Sequence, residues 1–206
     1  MNNYSATLNY YNENTDSFIK QTLDINMSAL YDIFIIKLNT QDIMGHQLLD
    51  LGCGSGRDSL YFSKLGFDVT AIDASLNIIK TAKENYAIPN ISWECLSFEQ
   101  TVDKEWQNKF DGIWACASLL HVAYADIASL LNKLLNLLKH NGIFYISFKY
   151  GENERIENNR FFCDMNERRW EAIKLKLENK INDTIWLTLD QRKDRDNQWF
   201  NILIKI

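Results

Sequence analysis

The segment LLDLGCGSGRD, residues 48–58, decides the fold. Three leucines surround Asp50, glycines then recur at every second position, and a helical pattern begins at Arg57. Glycine is required where a chain turns sharply and where backbone approaches a ligand without a Cβ in the way. The segment therefore predicts a buried strand, a tight ligand-binding turn and a helix in direct succession.

An alternation of strand and helix continues after this segment. The apolar patterns predict strands over 47–51, 68–72, 91–94, 111–115 and 143–148, and helices over 57–65, 75–86, 125–139 and 166–177. The connection between two final strands, 184–189 and 199–206, is too short for a crossover helix, so we expect an antiparallel hairpin. The sequence therefore predicts an α/β fold, a Rossmann-like, doubly wound and mostly parallel seven-stranded sheet with a C-terminal antiparallel hairpin.

Length and composition predict a single domain over residues 1–206, with residues 1–40 as an N-terminal helical cap. Within that cap, helical spacing is strongest over 12–20 and 27–38. No signal-peptide pattern and no apolar run of membrane-spanning length occurs, so we expect no membrane association. The four cysteines form no C-x-x-C pair and have no histidine at ligand spacing, which predicts free thiols, no metal site and a cytoplasmic protein.

The net charge of −5 argues against a nucleic-acid partner, because proteins dedicated to nucleic acids usually carry a basic surface. The charged segment 190–196 does not change this, since its three basic and three acidic residues cancel. We therefore expect no nucleic acid among the partners. The sequence does not specify an oligomeric state.

Two acidic residues bracket the glycine turn. Asp50 ends the first strand, where it would repel a pyrophosphate but can pair with an ammonium group. Asp73 ends the second strand, where a carboxylate can accept hydrogen bonds from both hydroxyls of an unphosphorylated ribose. A ligand with a ribose, an ammonium and no phosphate fits S-adenosylmethionine better than NAD. In the alternative interpretation, Asp50 only caps the turn and Asp73 only caps the next helix.

The stretch 49–56 resembles the first motif of the class I S-adenosylmethionine-dependent methyltransferases. The resemblance extends to Asp73, to the segments 110–115 and 138–142 and to the terminal hairpin, and it covers roughly residues 10–206. GRDSLY, residues 56–61, is similar to a small bacterial branch that includes tellurite-resistance-type methyltransferases. The resemblance implies S-adenosyl-L-methionine as cofactor and S-adenosyl-L-homocysteine as product. It does not identify the methyl acceptor.

The resemblance, with the strand ends, gives a set of cofactor contacts. The candidates are Tyr11, Asp50, Gly52, Cys53, Gly54, Arg57, Asp73, Ala74, Leu96, Ser97, Phe98, Ala115 and Cys116. Many family members carry an acid after the third strand for the adenine, and this chain does not, so we expect backbone near Leu96 and Ser97, and packing by Phe98. The Tyr11 ring is expected to face the sulfonium, with surface packing as the alternative.

The acceptor is expected over the ends of the fourth and fifth strands. His121 is the candidate catalytic residue because its pKa suits proton transfer near neutrality, and a helix-start residue bonding its own backbone is the alternative. Lys149, Tyr150 and Arg160 are candidate contacts for an anionic or polar substrate, beside a polar lid over 152–160. For Lys149 and Arg160 the alternative is a solvated surface charge.

The function that these patterns indicate is an S-adenosylmethionine-dependent methyltransferase with a small-molecule acceptor. Signatures of nucleic-acid base methylation, such as Asn/Asp-Pro-Pro-Tyr and Pro-Cys, are absent. The alternatives are a non-catalytic S-adenosylmethionine-binding sensor or partner module, and an NAD-type oxidoreductase.

Overall fold

The core of the structure is a twisted sheet. The structure, a computed structural model, describes residues 3–38, 43–192 and 196–206, so the ends of the predicted cap and residues 193–195 of the charged segment lie outside the described residues. Among the described residues, seven strands form this sheet in the order β3-β2-β1-β4-β5-β9-β8. They are β1 (Gln47–Leu51), β2 (Asp68–Asp73), β3 (Ile91–Cys95), β4 (Phe110–Ala115), β5 (Leu138–Lys149), β8 (Asn182–Leu189) and β9 (Gln198–Lys205).

Strand direction in the sheet confirms the predicted architecture. Neighbours from β3 to β5 pair in parallel, whereas β9 is antiparallel to both β5 and β8. The strand order reverses between β1 and β4, and such switch points form a ligand crevice at the carboxyl ends of the strands.

Helices cover both faces of the sheet. They are α1 (Asn3–Glu13), α2 (Thr15–Thr22), α3 (Ser28–Leu38), α4 (Arg57–Lys64), α5 (Leu76–Asn85), α6 (Phe98–Val102), α7 (Tyr124–Leu135) and α8 (Glu167–Lys174). Leucines of α7 and Trp170 of α8 pack on one face, and aromatic residues of α3 and α4 pack on the other. No helix among the described residues is both long and apolar enough to cross a membrane.

Two helix predictions differ from the structure. We expected a helix over 125–139, but α7 ends at Leu135 and β5 begins at Leu138. Asn141 and Gly142 resemble a helix stop in sequence, yet they lie within β5, where the pairing with β4 shifts register and Asn141 has a φ of +63°. At the N-terminus, where we expected one helix over 12–20, α1 and α2 meet at Asn14.

The predicted polar lid over 152–160 is a β-hairpin rather than a loop. Strands β6 (Glu154–Glu157) and β7 (Arg160–Cys163) pair antiparallel. The turn between them is Asn158-Asn159, with φ values of +50° and +60°. Asparagine tolerates these left-handed conformations, which a two-residue hairpin turn requires.

Candidate active site

The glycine turn after β1 is held by close packing. Gly52 and Gly54 have φ values of +82° and +52°, a region that side chains with a Cβ rarely adopt. A Cβ on Gly52 would lie 2.5 Å from the Cβ of Ser118. The Ser118 hydroxyl in turn donates a hydrogen bond of 2.5 Å to the carbonyl of Leu51. The segment after β4 therefore approaches the turn so closely that only glycine fits at position 52.

Asp73 joins the glycine turn to the end of β2. One carboxylate oxygen accepts the backbone N–H of Ser75 at 2.8 Å, and the other accepts the backbone N–H of Gly54 at 3.2 Å. Burial raises the pKa of this carboxyl to about 6 although both hydrogen bonds lower it. Ser75, not Asp73, caps α5, accepting the N–H of Ile78. The carboxylate of Asp73 therefore keeps lone pairs for a further donor.

A buried ion pair between Arg57 and Asp58 lies behind the turn. Asp58 accepts hydrogen bonds from Arg57 at 2.6 Å, Tyr31 at 2.5 Å and Trp114 at 2.8 Å. Burial raises the pKa of Asp58, but the Arg57 charge and these hydrogen bonds outweigh burial and hold it below its ordinary value. Arg57 and Asp58 thus form a compensated, buried ion pair.

Asp50 faces this ion pair rather than the ligand crevice. It is 2% exposed and accepts a 2.5 Å hydrogen bond from the hydroxyl of Ser59 on α4. Burial, followed by the nearby Asp58 charge, raises its pKa to about 8. The structure therefore does not place Asp50 where a direct contact with an ammonium group was expected.

A cavity of about 760 Å³ opens at the carboxyl ends of the strands. It runs from Asp73 and the glycine turn, past Cys116 after β4, to Ser147 and Lys149 on β5. Twelve predicted site residues line it, namely Tyr11, Gly52, Cys53, Gly54, Arg57, Asp73, Ala74, Phe98, Cys116, His121, Lys149 and Arg160. Its volume falls within the range typical of small-molecule sites.

His121 and Tyr11 form a hydrogen-bonded pair on the cavity wall. His121 Nδ1 lies 2.6 Å from the carbonyl oxygen of Phe161, which can only accept, so Nδ1 carries the proton. Nε2 therefore has the lone pair and accepts the hydroxyl of Tyr11 at 2.9 Å. Burial lowers the pKa of His121 to about 4, and burial raises the pKa of Tyr11 to about 12. Both side chains are neutral near pH 7.

The geometry of the turn, Asp73 and the cavity agrees with comparisons to known proteins. Residues 48–142 match the family model described as methyltransferase domain. The chain contains a methyltransferase domain of the class I fold. It is 31% identical over 142 residues, 68% of its length, to the ubiquinone biosynthesis O-methyltransferase of Rickettsia prowazekii, of which it covers 54%. It is 37% identical over 87 residues, 42% of its length, to a probable S-adenosyl-L-methionine-dependent methyltransferase, TehB, of Haemophilus influenzae, of which it covers 29%.

The fold of the methyltransferase domain is shared with solved structures. The 1,6-didemethyltoxoflavin-N1-methyltransferase of Burkholderia thailandensis, solved with bound 1,6-didemethyltoxoflavin and S-adenosylhomocysteine, has a TM-score of 0.76. Identity is 16%, with 98% of this chain and 88% of the other covered. At this identity the likeness concerns the fold alone. Moreover, the chain spans only about half or less of the length of the curated relatives above.

Leu96 and Ser97, which were expected to contact the adenine of the cofactor, already donate their backbone N–H groups to other partners within the protein. The backbone N–H of Leu96 donates to the carbonyl of Asp73 at 3.0 Å. The Ser97 N–H donates to the side chain of Gln100 at 2.9 Å, and the Ser97 hydroxyl caps α6. Neither residue is among those that line the cavity, whereas Phe98 does reach the wall.

Two more predicted residues lie away from the cavity wall. Ala115, the last residue of β4, is fully buried in the core between the sheet and α7. Tyr150 is 40% exposed, and its hydroxyl donates to Glu167 on α8 at 3.2 Å. Tyr150 therefore does not line the cavity where a substrate contact was expected, because its side chain is directed toward α8.

The sequence predicts Tyr11 at the site but does not indicate the other residues of α1 that form its wall. Tyr4, Leu8 and Tyr11 of α1 line the cavity at intervals of four and three residues. The ring of Phe18 on α2 lies over Gly54, 3.1 Å from where a Cβ would be. The signal was a helical apolar spacing from Tyr4 onward, which a predicted helix start at residue 12 excluded.

Proposed function

We propose that this chain is an S-adenosylmethionine-dependent methyltransferase that acts on a small molecule. The observation that carries the proposal is the continuous cavity from Asp73 and the glycine turn to the end of β5. Methyl transfer needs the sulfonium methyl and the acceptor atom in line, shielded from water. Such alignment can supply up to roughly 7–11 kcal/mol of a barrier.

In this proposal the cofactor occupies the β1–β2 end of the cavity. Asp73 accepts the ribose hydroxyls, since each of its oxygens has so far accepted only one backbone N–H. Backbone at Gly52 and Gly54 lies along the methionine part, and the Tyr11 ring lies beside the sulfonium. The side chains of Cys53, Ala74, Phe98 and Cys116 complete the wall.

The acceptor occupies the β4–β5 end, near His121, Lys149 and Arg160. His121 remains our candidate catalytic residue, and its low pKa indicates that it receives a proton only transiently or orients the hydroxyl of Tyr11. Small-molecule acceptors are supported by the relatives, which include ubiquinone biosynthesis O-methyltransferases.

A non-catalytic sensor needs a cofactor pocket but no acceptor chamber. The cavity continues beyond the glycine turn to Trp199 and Asn201 on β9, and this favours the enzyme. We further propose that residues 1–40 act as a helical cap of one domain over 1–206. Residence in the cytoplasm remains a prediction from the sequence.

Titration calorimetry tests the proposal directly. We expect S-adenosylmethionine and S-adenosylhomocysteine to bind and to raise the unfolding temperature, while NAD does neither. Incubation with methyl-labelled S-adenosylmethionine and a metabolite extract should then yield a labelled small molecule and S-adenosylhomocysteine. Binding without any labelled product would support the sensor, and binding of NAD alone would contradict both.

A further inference from the structure

Positive charge is in excess at the acceptor end of the cavity. Three cations meet there around the β6–β7 hairpin, namely Lys149, Arg155 and Arg160. Arg155 pairs with Asp164, and both Arg155 and Lys149 approach Glu157, at 3.5 Å and 3.4 Å. Among the described residues, three cations therefore share two carboxylates, and one positive charge is left uncompensated.

Arg160 is the cation without a carboxylate partner, although its side chain also interacts with the hydroxyl of Tyr11. Among the described residues, no carboxylate lies within ion-pair distance of it, and its Nε is buried without a hydrogen-bond acceptor. The guanidinium is held by aromatic faces, with its central carbon 4.3 Å from the ring centre of Tyr10 and 5.1 Å from that of Phe162. A buried donor without an acceptor is costly unless a ligand supplies one.

The other arginines on the cavity wall differ from Arg160 in this respect. Arg57 is bound to Asp58 at 2.6 Å, and Arg192 is bound to Asp190 at 2.5 Å. Their charges are compensated inside the protein. Of these three cavity arginines, Arg160 alone has no carboxylate partner within the described part of the chain.

The position of Arg160 indicates that its ligand is the methyl acceptor rather than the cofactor. It begins β7, directly before Phe161, whose carbonyl binds His121. Lys149 ends β5 and lies 4.1 Å from the centre of the Phe162 ring, so both cations flank one aromatic face. In the sheet, β4 and then β5 lie on one side of β1, and β2, which ends at Asp73, lies on the other side.

Resting on the proposed function, we propose that the methyl acceptor is an organic anion whose carboxylate is bound by Arg160, with Lys149 as the second cation. A guanidinium whose Nε lacks an acceptor can donate to a carboxylate, the anion that its planar geometry matches best. The acceptor is thus recognised by its charge before methyl transfer.

The experiment compares two probes of equal shape and different charge. The protein is saturated with S-adenosylhomocysteine, and benzoate or its neutral isostere benzamide is titrated by calorimetry. We expect benzoate to bind and benzamide to bind at least tenfold more weakly. Arg160→Gln should weaken benzoate binding about tenfold to a hundredfold, the range for a charge-assisted hydrogen bond, and Arg160→Lys should restore part of it.

Arg168→Gln is the control, because it removes the same charge from an exposed residue of α8 that does not line the cavity. It should change benzoate affinity by less than threefold. Equal binding of both probes, no benzoate binding, or equal losses in the two glutamine variants would overturn the inference.

The cofactor's own carboxylate is the competing source of the anion. If Arg160→Gln weakened S-adenosylhomocysteine tenfold and left benzoate unchanged, Arg160 would belong to the cofactor and the inference would be wrong. Failure of S-adenosylhomocysteine to bind the unmodified protein would instead contradict the proposed function itself.

Discussion

The two ends of the cavity are built in different ways. The β1–β2 end comes from one contiguous stretch, 48–58, together with Asp73, and its geometry rests on backbone groups and glycines. The β4–β5 end is assembled from segments far apart in the chain. Tyr11 and His121 are 110 residues apart, and the Thr7 hydroxyl accepts the N–H of Phe161 from 154 residues away. A local motif therefore specifies the first end, whereas tertiary packing creates the second.

Removal of the Asp73 carboxylate should have the largest effect on the β1–β2 end. Asp73→Ala deletes a charged acceptor for two ligand hydroxyls, so S-adenosylhomocysteine affinity should fall about 100-fold or more by calorimetry. Circular dichroism should show an intact fold. Asp68→Ala, at the exposed start of the same strand, is the control and should leave affinity unchanged. An unaltered affinity in Asp73→Ala would remove the ribose contact from our proposal.

A Cβ at position 52 should reveal how tightly the same end is packed. Gly52→Ala places a methyl group 2.5 Å from Ser118, and such overpacking should cost about 2–3 kcal/mol of unfolding free energy. Gly45→Ala is the matched control, because Gly45 has a similar φ of +74° and open space around its Cβ position. The difference between the two variants in denaturant unfolding measures the clash alone. Equal losses would mean that backbone strain, not packing, requires Gly52.

Acid should destabilise the β4–β5 end through His121. The pKa of His121 is about 4 in the folded protein and 6.5 for the free side chain, so the unfolded chain takes up a proton first as pH falls. Stability carried by the neutral histidine is complete above pH 6.5 and is lost toward pH 4, by about 2 kcal/mol. His121→Gln, whose amide can bond both Phe161 and Tyr11, should lack this loss.

The measurement is the unfolding free energy at pH 7.5 and pH 4.5, taken as the difference between variant and unmodified protein. Because Asp50 and Asp73 titrate in both proteins, their raised pKa values cancel in this difference. His140→Gln, at an exposed position of β5, serves as the control. A pH dependence that His121→Gln leaves unchanged would show that His121 is not buried in its neutral form.

Removal of a tyrosine hydroxyl, inside or outside the cavity, should have the smallest of these effects. Tyr11→Phe leaves Nε2 of His121 without its donor and should cost about 1–3 kcal/mol. Tyr150→Phe removes an exposed bond to Glu167 and should leave both stability and ligand affinity nearly unchanged. If Tyr150→Phe weakened the binding of an acceptor more than Tyr11→Phe did, the assignment of Tyr11 and not Tyr150 to the cavity wall would be wrong.

The sheet could be predicted because its signals are local. Leu48, Leu49 and Leu51 form a buried run, and the helix expected over 57–65 is observed as α4. The mostly parallel, doubly wound sheet and its C-terminal antiparallel hairpin follow from connection lengths and were confirmed. The end of α7 was not predictable in this way, because Asn141-Gly142 is a helix-stop signal that β5 accommodates through a register shift.

The candidate site was only partly predictable for the same physical reason. Residues of the glycine turn and Asp73 line the cavity because adjacent backbone atoms fix their positions. Whether Asp50 or Tyr150 reaches the cavity depends on competing partners, Ser59 and Glu167, which neither residue's own neighbours in sequence reveal. The asparagines of the β6–β7 turn were a readable signal for the hairpin that places Arg160.

Helix α1 is fastened on both sides of the cavity that it covers. On one side Thr7 holds Phe161, and on the other Asn12 accepts the hydroxyl of Ser75 and the amide of Asn77. A ligand bound beneath α1 is therefore shielded from solvent on that side for as long as these contacts hold. We expect its residence time to depend on the rate at which this helix lifts, so that tight binding and slow exchange become separate properties of the same site.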